Sequence, residues 1–204
     1  MPRFSLPRFA VLLLLLLVPA CAPYTLVPAN SAQAPQGIAV APAIAFNRVS
    51  AFNPAVKVPE RVEIWTSDGE VLDQLVFFGG VADGAPLVKL PETTAPREPL
   101  PPFRSSMEAG DVMELFAASL VRLGRTPTVE TTALRPATFL GGPGFRFDFT
   151  YTGKDDIDRR GTAIGTVRDG KLWMIAFEGT RLLHYGRLLP EAERIFATAT
   201  LRPS

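Results

Sequence analysis

The sequence predicts an α+β domain: an antiparallel β-sheet with a mid-chain helix and a C-terminal helix packed on it. Three observations carry this. In GFRFDFTYT, Phe145, Phe147, Phe149 and Tyr151 alternate with Arg146, Asp148, Thr150 and Thr152, the period-two pattern of a strand with one buried and one wetter face. Asp-Gly pairs at Asp68-Gly69, Asp83-Gly84 and Asp169-Gly170 separate apolar runs, and this dipeptide supplies the positive φ that tight antiparallel turns demand. Apolar residues then recur at helical spacing over 112–123 and again over 189–199, one stripe for each helix.

The chain opens with MPRFSLPRFAVLLLLLLVPAC, in which Arg3 and Arg8 precede a ten-residue apolar run from Phe9 to Val18. A basic start, a short apolar stretch and small exit residues make residues 1–20 a secretory signal peptide. The run is about half the 20 or so residues a spanning helix needs, so it is read as a signal and not as an anchor. Two cleavage readings compete. Ala20-Cys21-Ala22 fits a leader peptidase that would cut after Ala22 and discard the thiol, but Pro23 would then follow the scissile bond, a poor fit to an extended-strand protease cleft. In the other reading Val18-Pro19-Ala20-Cys21 resembles the bacterial lipobox, in which the cysteine receives a diacylglyceryl thioether and an N-acyl chain. That resemblance implies lipidation at Cys21, the sole cysteine of the chain. It also implies sorting to the outer membrane of a Gram-negative cell, facing the periplasm, because Ala22 stands where an inner-membrane protein carries aspartate. Two or more buried acyl chains, at about 0.8 kcal/mol per methylene, anchor a protein without a spanning helix.

Removing the two leader arginines from 21 basic residues leaves 19 against 20 acidic ones. A nearly neutral domain lacks the basic excess that phosphate-backbone binding requires, so nucleic acid is excluded as a partner. Residues 21–36 are uncharged and rich in Ala, Pro, Gln, Asn and Ser, too poor in apolar surface to offset ordering entropy, and are expected to form a flexible tether. Residues 37–204 form the single domain.

Within that domain GIAVAPAIAFNRV, from Gly37, suits a strand or sheet edge. RVEIWTSDGEVLDQLVFF reads as a hairpin turning at Asp68-Gly69. Residues 86–104 carry six prolines, which rules out regular helix or a central strand and predicts a surface excursion. Ser105-Ser106-Met107-Glu108 offers a capping box, after which Val112, Leu115, Phe116, Leu120 and Leu123 share a helix face and Gly124 stops it. TVETTAL, GFRFDFTYT, RRGTAIGTV and KLWMIAFEGT follow as a meander, the last two joined at Asp169-Gly170. Pro190, as a first helical residue, opens the C-terminal helix.

Little in the chain carries catalytic or ligating chemistry. There is one histidine, His184 in RLLHYGRLL, expected as a packed or surface residue near a strand end, and no G-x-S-x-G elbow accompanies any serine. One histidine and one cysteine cannot furnish a zinc tetrad. Asp155, Asp156 and Asp158 lack the alternation and distal glutamate of a calcium loop, and Arg159 and Arg160 neutralise them. The domain is therefore read as non-enzymatic, with no catalytic residue, metal or cofactor.

Three segments, EIWTSDGEVLDQLVFFGGVADGAPL, FLGGPGFRFDF and RRGTAIGTVRDGKLWMIAFEGT, resemble a family of uncharacterised proteobacterial lipoproteins. Trp65-Thr66 with Asp68-Gly69, and Gly141-Gly142-Pro143-Gly144-Phe145, carry the likeness. It implies location and no established activity. The meander closed by a helix is also similar, at fold level, to PsbP-like α/β/α sandwiches, which implies an accessory role. The reading favoured by the sequence is a membrane-anchored scaffold docking on another envelope protein. The alternative is a carrier of a lipid or other apolar ligand, if the aromatic-rich sheet curves enough to leave a cavity under a helix.

Overall fold

A computed structural model describes residues 24–49, 62–90 and 98–202. In chain order the elements are β1 Tyr24–Val27, β2 Ile38–Ala39, β3 Phe46–Val49, β4 Val62–Thr66, β5 Asp73–Val81, α1 Ala109–Arg122, β6 Glu130–Phe139, β7 Gly142–Thr152, β8 Asp158–Arg168, β9 Lys171–Thr180, α2 His184–Thr198 and β10 Thr200–Leu201. Eight strands make one antiparallel sheet in the order β1-β3-β4-β5-β9-β8-β7-β6, and β2 pairs with β10 in a separate ribbon.

Both faces of the sheet are covered. On one face α1 sets Val112, Leu115 and Phe116 against Phe145, Phe147 and Phe149 of β7 and Phe78 of β5. On the other, α2 sets Leu188, Ile195 and Phe196 against Phe77 of β5 and Ile175 and Phe177 of β9. Period two along the central strands explains the division: Leu75 and Phe77 fall on the α2 side, Val76 and Phe78 on the α1 side. The α+β class and the two packed helices stand as the sequence predicts, with the helices on opposite faces.

Two tight turns close hairpins of the sheet, the first of them at an Asp-Gly pair read from the sequence. Asp169-Gly170 joins Arg168 to Lys171, and Leu140-Gly141 joins Phe139 to Gly142, all four turn residues having positive φ, as two-residue hairpins of the primed type require. Asp68-Gly69 also marks a turn, but a six-residue one between Thr66 and Asp73. The Asp73 carboxylate closes it, accepting the Ser67 N–H at 2.7 Å and the Asp68 N–H at 2.9 Å. Asp73 is 2 % exposed, and burial raises its pKa against the lowering effect of these bonds. The folded state therefore holds the proton more tightly than the unfolded chain, and stability falls as pH rises from about 3.9 through that raised value. Asp73→Asn is expected to abolish this slope and, by trading one acceptor for a donor, to cost about 1–3 kcal/mol in denaturant titrations near neutrality.

Four expectations are corrected. The stretch 21–36 is not a free tether beyond residue 23: β1 pairs with β3 from Tyr24↔Val49 to Val27↔Phe46, and Gln33 bridges Val40. Val27, 1 % exposed, and these backbone pairs supply what composition alone does not show. The cap of α1 is Glu108, not Ser105: Glu108 accepts from the Asp111 N–H while Asp111 accepts from the Glu108 N–H, and the Ser105 N–H is held instead by Asp83 at 2.7 Å. Pro190 lies inside α2, which starts six residues earlier. Having no N–H, Pro190 cannot make the helical bond to the carbonyl of Gly186, four residues back. The excursion 86–104 is pinned at both described ends, with Pro86 bridging Pro102 and Leu87, Val88 and Phe103 in the core.

Candidate functional site: an apolar cleft beneath the mid-chain helix

Where α1 ends, the chain turns through Gly124 at φ +70°. The Gly124 N–H bonds the Val121 carbonyl at 2.9 Å and the Arg125 N–H bonds the Leu120 carbonyl at 3.2 Å, the paired bonds of a Schellman end. This reversal lays Arg125 back over the sheet. Its guanidinium donates to Glu178 of β9 at 2.7 Å, to the Tyr151 hydroxyl at 3.2 Å and to Gln74 of β5 at 3.4 Å. Tyr151 donates to the same Glu178 oxygen at 2.9 Å, and Gln74 donates to the Glu70 carbonyl at 2.6 Å. Glu178 is 6 % exposed, whereas Arg125 keeps a third of its side chain in reach of solvent. The Glu178 charge holds Arg125 well above its usual range. Burial, together with Glu178, pushes the Tyr151 phenol up, so it remains a donor.

This polar cluster floors one end of a cleft of about 280 Å³ between α1 and the sheet. Its walls are Val62 and Ile64 of β4, Val76 and Phe78 of β5, and Leu120 and Leu123 of α1. The volume lies just under the usual range for small-molecule sites, about 300–1,000 Å³, and suits a single slender apolar group. α1 leans toward β6 and β7, so the β4 and β5 part of this face is left for the cleft.

The residues examined in the sequence fall elsewhere. Cys21 lies outside the described residues. His184 is the first residue of α2, not a strand end: its Nδ1 is 2.7 Å from Thr180 Oγ1 and its Nε2 is 3.8 Å from Asp68. Thr180 Oγ1 also meets the His184 N–H at 3.5 Å, and Arg187 engages Asp68, so the group clasps the start of α2 to the 67–72 turn. Asp155 pairs with Arg159 at 2.6 Å and Asp158 with Arg181 at 2.8 Å; Arg160, expected among these partners, lies over the Tyr185 ring at 4.9 Å. Arg159 holds the Asp155 carboxyl well below the usual range. Among the described residues no three His, Cys, Asp or Glu side chains converge as metal ligands, and no helix is long and apolar enough to cross a membrane.

Sequence reasoning missed Arg125, Gln74 and Glu178. One signal was there: Glu178 is the only acid in KLWMIAFEGT, and a carboxylate in an otherwise buried strand requires a cation or donors.

No protein-family model and no curated protein sequence matches the chain, so the likeness to uncharacterised lipoproteins rests on the quoted segments. Among solved structures, the chain is similar to LpqN, described as involved in cell envelope biogenesis of Mycobacterium tuberculosis, at 11 % identity and a TM-score of 0.37, over 88 % of this chain and 84 % of that one.

Proposed function

We propose that the protein is a non-catalytic lipoprotein, acylated at Cys21 and held at the periplasmic face of the outer membrane, whose cleft beneath α1 binds the apolar chain of a lipid. The cleft carries this reading: six aliphatic or aromatic walls ending in a fully bonded polar cluster favour an aliphatic chain over a charged solute. The engagement of the single histidine in the α2 clasp supports a non-catalytic role.

The test is photolabelling of intact membranes carrying the full chain with a diazirine-bearing palmitate. Crosslinks are expected on peptides from β5 and α1, and Leu120→Phe, or Ala176→Phe on β9 where that strand also lines the cleft, should cut labelling about five-fold or more. Labelling at background, or unchanged in both variants with the fold retained, would rule the cleft out as a lipid site. The docking scaffold that the sequence favours keeps one observation, the exposure of Leu182 (94 %) and Leu183 (58 %) at the β9–α2 corner. Recovery of a stoichiometric envelope protein lost in Leu182→Ser, with no lipid labelling, would choose that reading.

A further inference from the structure

From the start of β1 we infer that the β1 edge of the sheet lies on the bilayer that holds the anchor. The inference rests on acylation of Cys21. Only Ala22 and Pro23 stand between Cys21 and Tyr24. Three residue steps span at most about 11 Å at 3.3–3.6 Å each. Tyr24 is not free to move away from the domain to lengthen that reach. Its backbone pairs with Val49, its ring packs on the α1-side core, and its hydroxyl donates to Glu70. The domain therefore cannot swing on a long tether, and Tyr24, the first residue of the outermost strand, has to stay within about 11 Å of the acylated cysteine.

That strand is suited to a lipid surface. Leu26 on β1 is 65 % exposed, and the four residues of β1 carry no charge, so desolvating this edge against headgroups leaves no ion unpaired. The same constraint places the cleft. Tyr24 pairs with Val49, and Arg48 pairs with Trp65, which sets Val49 beside Ile64. Ile64, a cleft wall, is thus two strand spacings, about 10 Å, from Tyr24. A lipid chain would then enter from the leaflet holding the anchor.

The test uses the full-length, processed protein in vesicles of phosphatidylethanolamine and phosphatidylglycerol. Because Cys21 is the only native thiol and acylation blocks it, Leu26→Cys or Thr132→Cys gives one dye position each. Thr132 is exposed on β6, at the opposite edge of the sheet. With an environment-sensitive dye and spin-labelled lipid, more than half of the emission at position 26 should be quenched, and little at 132. A 20-residue Gly-Ser insertion after Pro23 should bring position 26 down to the level of 132. Equal quenching at both positions, or quenching at 26 that survives the insertion, overturns the orientation. The mass of the N-terminal peptide from the same sample separates the two failures. An unacylated Cys21 defeats the anchor and with it this inference; an acylated Cys21 with position 26 unquenched defeats the orientation alone.

Discussion

Arg125→Ala is expected to destabilise the domain by about 3 kcal/mol, because it leaves the Glu178 carboxylate buried with only the Tyr151 hydroxyl as partner. The pair is not a surface ion pair of the kind worth a few tenths of a kcal/mol: Glu178 is 6 % exposed, and the guanidinium is held by three acceptors at once. The penalty comes from the orphaned charge more than from the lost attraction. Arg125→Met combined with Glu178→Gln should therefore recover most of the loss, since an amide oxygen still accepts from Tyr151 and no charge remains buried. Urea titrations of the wild type, the single variant and the double variant measure both effects. A cost below about 1 kcal/mol for Arg125→Ala would place the cluster among solvent-screened pairs.

What the sequence makes legible follows from the range of the interactions involved. The β7 alternation, the Asp169-Gly170 turn and the α1 stripe are set by neighbours within a few residues, and the structure reproduces them. The Pro-rich segment after residue 21 fails as a tether because β1 is held by residues 46–49, about twenty positions on. The helix start at Pro190 fails for a similar reason. The proline is a sound local signal, but the Thr180–His184 clasp lets the helix begin at His184. The cleft was visible only as a possibility, since its polar end joins Gln74, Arg125, Tyr151 and Glu178 across three strands and a helix end. No local pattern contains that set.

One tertiary pattern was written in the sequence in a form that periodicity alone does not decode. β7 presents Phe145, Phe147 and Phe149 and β8 presents Gly165, Ala163 and Gly161, and the register pairs them one to one. Small residues on β8 give each ring room to lie across its partner. A Cβ on Gly165 would stand 2.9 Å from the Phe145 ring, and one on Gly161 only 2.1 Å from the Phe149 ring. Phe149 has nowhere to retreat, since it is 1 % exposed and packs on Phe116 of α1 with ring centroids 4.9 Å apart. Gly161→Val is thus expected to cost about 3 kcal/mol, the upper part of the range for overpacking. Phe149→Leu in the wild-type background should cost about 1–2 kcal/mol by leaving space beside Phe116. Combined, the two changes should cost less than their sum by at least about 1 kcal/mol, because the smaller side chain makes room for the new methyls. Thermal and urea unfolding of the four proteins close the cycle. Strict additivity would show that the clash is relieved by strand displacement instead of by the ring, and that the small-to-large pairing is not what holds β8 against β7.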